Sequence, residues 1–314
     1  MPPPAVYSAT PAGIVAALLA VYLIWGSTYL AIRFAIETLP PFTMAGVRFL
    51  IAGGLLYAWR RAIGFPRPTL AQWRGAAMVG ALMLLGGNGG VVWAQQWIES
   101  GTAALMVATV PLWMVLLDWL RPGGRAPRPL VWAGIVVGLA GIGLLYGAPG
   151  RVEMYAAGWL VLVLASVSWA IGSLYSRTAS LPAPLLATGM QMLAGGALLL
   201  VAGAITGELR GVDPAAFSTR SVLALGYLIV FGSLVGYSAY IWLLRVTTPA
   251  LASTYAYVNP VVAVFLGWTL AGEALTPRIM LACAVIVGGV ALITRASASA
   301  PPPASGPVAP AGTG

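Results

Sequence analysis

The stretch Trp25–Leu55, WGSTYLAIRFAIETLPPFTMAGVRFLIAGGL, is echoed by Trp169–Leu198, WAIGSLYSRTASLPAPLLATGMQMLAGGAL. With a one-residue gap, Trp25 falls on Trp169, Arg33 on Arg177, Pro41 on Pro184, Gly46 on Gly189 and Gly53 on Gly196. Further along, Pro111 falls on Pro260 and Trp119 on Trp268; after another one-residue shift Gly141 falls on Gly289 and Leu144 on Leu292. The chain is therefore a duplication, and what one copy contains decides the fold.

A helix crossing the hydrocarbon core needs about 20 apolar residues. Such runs occur at 12–32, 41–59, 75–97, 101–120 and 130–147, and again at 155–175, 184–206, 221–244, 250–270 and 278–294. The expected fold class is all-α: a polytopic membrane protein of ten transmembrane helices. Five spans per copy is an odd number, so the second copy enters the membrane upside down relative to the first. The expected architecture is two inverted five-helix repeats, 12–147 and 155–294, with disordered cytoplasmic termini at 1–11 and 295–314. The tail is low-complexity Pro, Ala, Ser and Gly with too little apolar surface to fold. The N-terminus lacks the basic cluster of a secretory signal, so the first apolar run reads as a permanent span.

Composition agrees. Of the 314 residues 60% are hydrophobic and 7% charged, against about 25% charged in a soluble domain. All 16 basic residues are Arg, and they sit between apolar runs rather than on one basic face, which argues against a nucleic-acid partner. With a cytoplasmic N-terminus, the inner side holds ten Arg (60, 61, 67, 74, 121, 125, 128, 177, 245, 295) against Asp118. The outer side holds five (33, 151, 210, 220, 278) against six acids (37, 99, 153, 208, 213, 273). Arg is retained in the cytoplasm during insertion, so this asymmetry places both termini inside a bacterial inner membrane.

Chemistry that needs His is excluded, because the chain has none, and its single Cys283 can form no internal disulfide. No metal site, cofactor or catalytic residue is expected, and no P-loop Lys or Gly-x-Ser-x-Gly elbow is present. The chain does not read as an enzyme.

Several pieces resemble the EamA-type drug/metabolite transporters: Ile24-Trp25-Gly26-Ser27-Thr28-Tyr29, Arg48-Phe49-Leu50-Ile51-Ala52, Asn259-Pro260, Leu270-Ala271-Gly272-Glu273-Ala274-Leu275-Thr276 and Gly288-Gly289. Their order and spacing, together with the duplication, extend the resemblance from about residue 14 to 294. The resemblance implies a ten-helix inverted-repeat fold and efflux of metabolites such as amino acids, or of toxic compounds. One departure stands out: the first copy carries Arg121-Pro122-Gly123-Gly124-Arg125 where the second carries Gly272-Glu273.

The residues within spans are the candidate path. An Arg at a helix centre costs about 2.5–3.5 kcal/mol on insertion scales, so Arg48 must face protein or water, either as a ligand for a substrate carboxylate or as a structural Arg bonded to helix ends. Its counterpart in the second copy is Gln191. Asn88, within Gly86–Gly90, stands i, i+7 and i+8 to Gln95 and Gln96, which places three amides on one helical face as cavity lining or as packing. Trp25 and Tyr29 in span one and Trp169 in span six lie away from the interface that usually anchors aromatic rings, and suit stacking on a solute or ordinary helix packing. Tyr237 in span eight, with Tyr255 and Asn259 in span nine, adds hydroxyl and amide groups. Pro111 and Pro260 each free a carbonyl four residues earlier and are candidate hinges or tolerated kinks. Glu273 lies in a turn, where capping or pairing with Arg278 is expected.

No Asp or Glu lies deep in a span. The leading expectation is a secondary exporter of small amphipathic metabolites, aromatic or other large neutral amino acids fitting best, working by alternating access. Efflux of lipophilic cations is the second transport reading, although it calls for a buried carboxylate. From another class, a non-transporting membrane sensor or structural protein stays open. The partners are a small-molecule substrate and the bilayer, and symmetry within one chain lets a monomer suffice. A reporter enzyme fused after Arg295 is expected to be active as a cytoplasmic fusion and inactive as a periplasmic one; the opposite result overturns the topology.

Overall fold

Thr10 and Pro11 open the first helix as their chemistry dictates: the Thr10 hydroxyl accepts from the Gly13 N–H at 3.2 Å, and Pro11 has no N–H to leave unpaired. Pro41 and Pro184 start their helices in the same way, while Thr69 and Gln72 form a reciprocal capping box. The computed structural model describes residues 10–122, 126–146, 152–210, 212–247 and 254–298, and among them every regular element is helical. The expectations for the two termini, for Gly123–Arg125 and for Arg151 fall largely or wholly outside the described residues.

In chain order the elements are α1 (Pro11–Ala35), α2 (Pro41–Ala62), α3 (Leu70–Gly80), a π-helical stretch π1 (Ala81–Gly89), α4 (Gly90–Ala94), α5 (Ser100–Val107), α6 (Val110–Leu120) and α7 (Pro129–Tyr146). There follow α8 (Val152–Ser176), α9 (Pro184–Ile205), a short 3₁₀ turn (Pro214–Ala216), α10 (Thr219–Tyr227), a second π stretch π2 (Leu228–Val235), α11 (Gly236–Val246), α12 (Tyr255–Ala271) and α13 (Pro277–Ala298). Seven helical runs are long and apolar enough to cross a membrane, α3–π1–α4, α5–α6 and α10–π2–α11 each giving one. Three further apolar helices, Pro129–Leu144, Val258–Ala271 and Pro277–Ile293, are shorter and occupy the places of the fifth, ninth and tenth expected spans.

Two helix pairs, α2 with α9 and α7 with α13, form the most extensive contacts. Glycine makes this closeness possible. A Cβ on Gly46 would lie 3.0 Å from the Gly196 carbonyl oxygen, and one on Gly53 would lie 2.9 Å from that of Gly189. On the other pair, a Cβ on Gly134 would meet the Gly289 oxygen at 2.8 Å. Lipid offers helices little hydrophobic reason to associate, so dense backbone contact between small residues holds them together. Elsewhere α1 packs against α12 and against α10–α11, while α8 packs against α6 and against π1–α4.

Pro111 breaks its span: α5 ends at Val107, α6 starts at Val110, and Thr109 fills the gap by donating its hydroxyl to the Met106 carbonyl at 2.6 Å. Pro260, its counterpart, lies inside an unbroken α12. The two positions share a sequence feature and differ in local structure.

Gly196→Val and Gly134→Val are expected to cost about 1–3 kcal/mol or more through overpacking, with loss of monodisperse protein. Gly288→Ala, where a Cβ meets nothing within 4 Å, is expected to be neutral. Thermal unfolding of the purified variants checks both.

Candidate functional site

The π stretches set the geometry of the interior. A wider turn leaves backbone carbonyls in need of donors, and in hydrocarbon those donors must be side chains. At π2 the Trp25 indole N–H donates to the Gly232 carbonyl at 3.2 Å. At π1 the Ser168 hydroxyl donates to the Leu82 carbonyl at 2.7 Å, beside Trp169, whose ring packs onto Gly87. Trp25 and Ser168 thus do related work on the two π segments, while Trp169 packs against π1.

Around Trp25 the chain gathers its tyrosines. The rings of Tyr237, Tyr240 and Tyr255 lie 5.3, 5.1 and 5.1 Å from it, two of them edge-on, and Tyr240 and Tyr255 are 5.5 Å apart. Edge-to-face contacts of this kind favour a fixed arrangement. Tyr22 is hydrogen-bonded to Thr254. Asn259, 8% exposed, directs its amide nitrogen at the carbonyls of Tyr22 and Tyr255, both at 3.2 Å, in the orientation those two acceptors require. Trp25, Tyr237, Tyr255 and Asn259, read separately from the sequence, therefore form one cluster between α1, α11 and α12. Tyr240 completes it; its i+3 spacing from Tyr237 was the available signal.

Arg48 adjoins this cluster from α2. It is 4% exposed, its Nε–H donates to the Ser233 hydroxyl of π2 at 2.9 Å, and its guanidinium lies 4.7 Å from the Phe49 ring. Arg48 is thus held by a side chain rather than by a helix end. A small cavity of about 20 Å³, lined by Val79, Met83, Leu84, Thr188, Gln191, Met192 and Tyr237, lies between the halves. That is room for about one water and not for an organic solute.

The three amides meet different surroundings, because the regular helix stops at Ala94, one residue before Gln95, while Asn88 lies inside π1. Gln95, 1% exposed, donates to the Tyr29 carbonyl at 3.2 Å, whereas Gln96 is exposed and bonds back to the Trp93 carbonyl at 3.0 Å. Asn88 lies within π1 with a buried amide oxygen that has no protein donor. The Tyr29 ring packs against the apolar cluster of Leu105, Leu162 and Ile286.

Carboxylates that the sequence reading left at the surface turn out to close one end of the molecule. Gly272, in the left-handed conformation at φ 65°, ends α12 and swings Glu273 inward to 7% exposure. Glu273 accepts from the Ser100 and Gly101 N–H groups at 2.7 and 3.0 Å, which caps α5, and lies 3.8 Å from Arg33. The capping role is as expected, and Arg33 is an ion-pair partner of Glu273; the Arg278 guanidinium reaches the Leu144 carbonyl. Glu208 does the same for α2, accepting from the Phe42 and Thr43 N–H groups at 3.0 and 2.8 Å and from the Thr43 hydroxyl at 2.9 Å. Glu37 pairs with Arg220 at 3.3 Å.

Burial raises the Glu99 carboxyl above the ordinary carboxylate range, with repulsion from Glu273 adding to it and Arg33 and a backbone hydrogen bond opposing. The folded chain thus holds this proton more tightly than the unfolded one. Stability is then greatest below the ordinary carboxylate range and falls as pH rises through the raised value. Glu99→Gln is expected to raise the unfolding midpoint at neutral pH and leave it unchanged near pH 4, whereas Glu273→Ala is expected to cost about 1–2 kcal/mol through loss of the cap. Thermal unfolding at the two pH values reads both.

Comparison with known proteins matches this architecture to a family. The model of the EamA-like transporter family matches residues 11–147 and again residues 156–295. The inner membrane transporter YedA of Escherichia coli K12 is 45% identical over 279 residues, covering 88% of this chain and 89% of its own. The S-adenosylmethionine/S-adenosylhomocysteine transporter of Chlamydia trachomatis is 26% identical over 294 residues, covering 86% and 85%. A solved crystal structure, 25% identical, superposes with a TM-score of 0.63 over 91% of this chain and 98% of the other. With both halves matched and nearly the whole length shared, the chain belongs to the EamA-like transporter family and is a membrane transporter of that family.

Proposed function

We propose that the chain is a secondary exporter of the bacterial inner membrane, with ten spans in two inverted five-helix repeats and both termini cytoplasmic. Its preferred solutes are neutral or zwitterionic amphipathic molecules, aromatic and other large amino acids above all.

The repeat reading is supported by one family model matching each half, and by contacts that keep their pattern when the halves are exchanged. Gly46 against Gly196 becomes Gly189 against Gly53, and π1 takes the place of π2. Halves built alike from inside and outside can exchange shapes at similar energy, which alternating access requires. Pro111 and Pro260 support such an exchange, since one stands at a helix break and the other within a continuous helix. We assign them the hinge role.

The observation that carries the solute class is the Trp25–Tyr237–Tyr240–Tyr255 cluster, an aromatic group with hydroxyls and an Asn and without a carboxylate. Lipophilic cations fit it less well, because the buried Glu273 is committed to capping α5. The relative from Chlamydia trachomatis moves solutes that carry an α-amino-acid group. Trp169 from the second half, with Asn88 and Gln95 from the first, supply the other side of the path; Tyr29 contributes through its carbonyl to Gln95, and Gln96 stands at its rim.

In liposomes, the purified protein loaded with unlabelled phenylalanine is expected to accumulate labelled phenylalanine by counterflow. Trp25→Ala is expected to slow this about tenfold, the loss of one or two aromatic contacts, with Trp25→Phe intermediate. Absence of counterflow across a panel of amino acids overturns the proposal.

A further inference from the structure

Arg48 carries a charge that nothing in the described protein neutralises. Six acidic residues have described side chains, and none lies within ion-pair distance of it: Glu37 faces Arg220, Asp118 faces Arg121, Glu273 faces Arg33, Glu208 caps α2, Asp213 closes its own turn on Ala215, and Glu99 lies beside Glu273. Of its three nitrogens, Nε is satisfied by Ser233, while NH1 is buried with no protein hydrogen-bond partner. NH2 lies against π2, where a Cβ on Gly232 would come within 3.1 Å of it, so Gly232 makes room for the guanidinium. The Phe49 face offers a quadrupole and no acceptor.

An unpaired buried charge is among the most destabilising features a fold can hold, and chains keep one where a ligand completes it. The groups nearby fit such a ligand. Tyr237 is within electrostatic reach of the guanidinium and also lines the interior cavity, together with Thr188 and with Gln191, the counterpart of Arg48 in the other half. The rest of the lining is Val, Leu and Met. Tyr237 thus connects the guanidinium to this largely apolar cavity, and a planar cation with N–H groups to spare matches a monovalent carboxylate on an amphipathic body.

We propose that Arg48 is the anchor for the solute's carboxylate, with Tyr237 and Gln191 flanking it, so that the transporter selects acids and zwitterions over amines of the same shape. This rests on the exporter reading for its role in transport and on the geometry alone for binding.

The test uses the full chain and three probes of one shape: phenylalanine, 3-phenylpropionate and phenethylamine, each titrated by thermal shift in detergent and as a competitor in counterflow. The wild type is expected to bind both acids about tenfold or more tightly than the amine, the gain from one charged hydrogen-bonded contact. Arg48→Gln is expected to lose that preference, and Arg48→Lys to keep it in weaker form. Should Arg48→Gln fail to fold, the wild-type preference and Arg48→Lys still decide. Equal binding of acid and amine by the wild type, no binding of any probe, or a folded Arg48→Gln that still prefers acids each overturns the assignment. Acid-selective binding without counterflow retires the exporter reading and keeps Arg48 as a carboxylate site; counterflow of acids and amines alike does the reverse.

Discussion

In hydrocarbon a backbone N–H or carbonyl has no water to turn to, and most of the specific side-chain geometry in this protein answers that constraint. Where helices are regular, the backbone satisfies itself and side chains are free to be apolar. Where they are not, a named donor or acceptor arrives from a neighbouring helix. Trp25 serves the Gly232 carbonyl in π2, Ser168 serves Leu82 in π1, and Thr109 serves Met106 at the break before Pro111. At the helix starts, Glu208 and Glu273 collect exposed N–H groups from α2 and α5. Irregular backbone and interior polar groups therefore come as pairs, and all of these but Thr109 with Met106 join the first half of the chain to the second.

That pairing explains why the candidate path lies where it does. A π segment admits side chains that a tight α-helix would exclude, and both π segments face the helices carrying the central Trp residues. The aromatic cluster around Trp25, the buried Arg48 and the small cavity beside Gln191 all border π2 or π1. The outermost residues do different work: the carboxylate caps fasten helix ends across the two halves. The acidic cap exists in the second copy's turn alone, since the first copy carries Arg121-Pro122-Gly123-Gly124-Arg125 there.

The glycine-lined pairs, α2 with α9 and α7 with α13, supply the frame for these interior features. A Cβ at these glycines would lie within about 3 Å of the facing backbone, which leaves no room for side chains, so each pair packs tightly while the remaining helices carry breaks, π segments and polar groups. Tightly packed pairs flanking an irregular centre suit a molecule that must move a solute past its own middle.

Membrane class, family and the places of the long apolar helices were legible from the sequence, because apolar length, Arg placement and recurrent Trp, Arg, Pro and Gly are one-dimensional features. Trp25, Tyr237, Tyr255 and Asn259 could be picked out one by one for the same reason. Their meeting in one cluster could not, since it depends on which helices neighbour each other. The amides Asn88, Gln95 and Gln96 show the limit most clearly: spacing put them on one face, but the helix ends before Gln95, which is buried against the Tyr29 carbonyl while Gln96 is exposed. Glu273 and Glu208 looked like surface charges until the tertiary structure set them against helix N-termini distant in the chain. Whether a polar group in this protein faces solvent, a backbone or the path is decided by the partner helix that reaches it, and helical spacing contains no record of that partner.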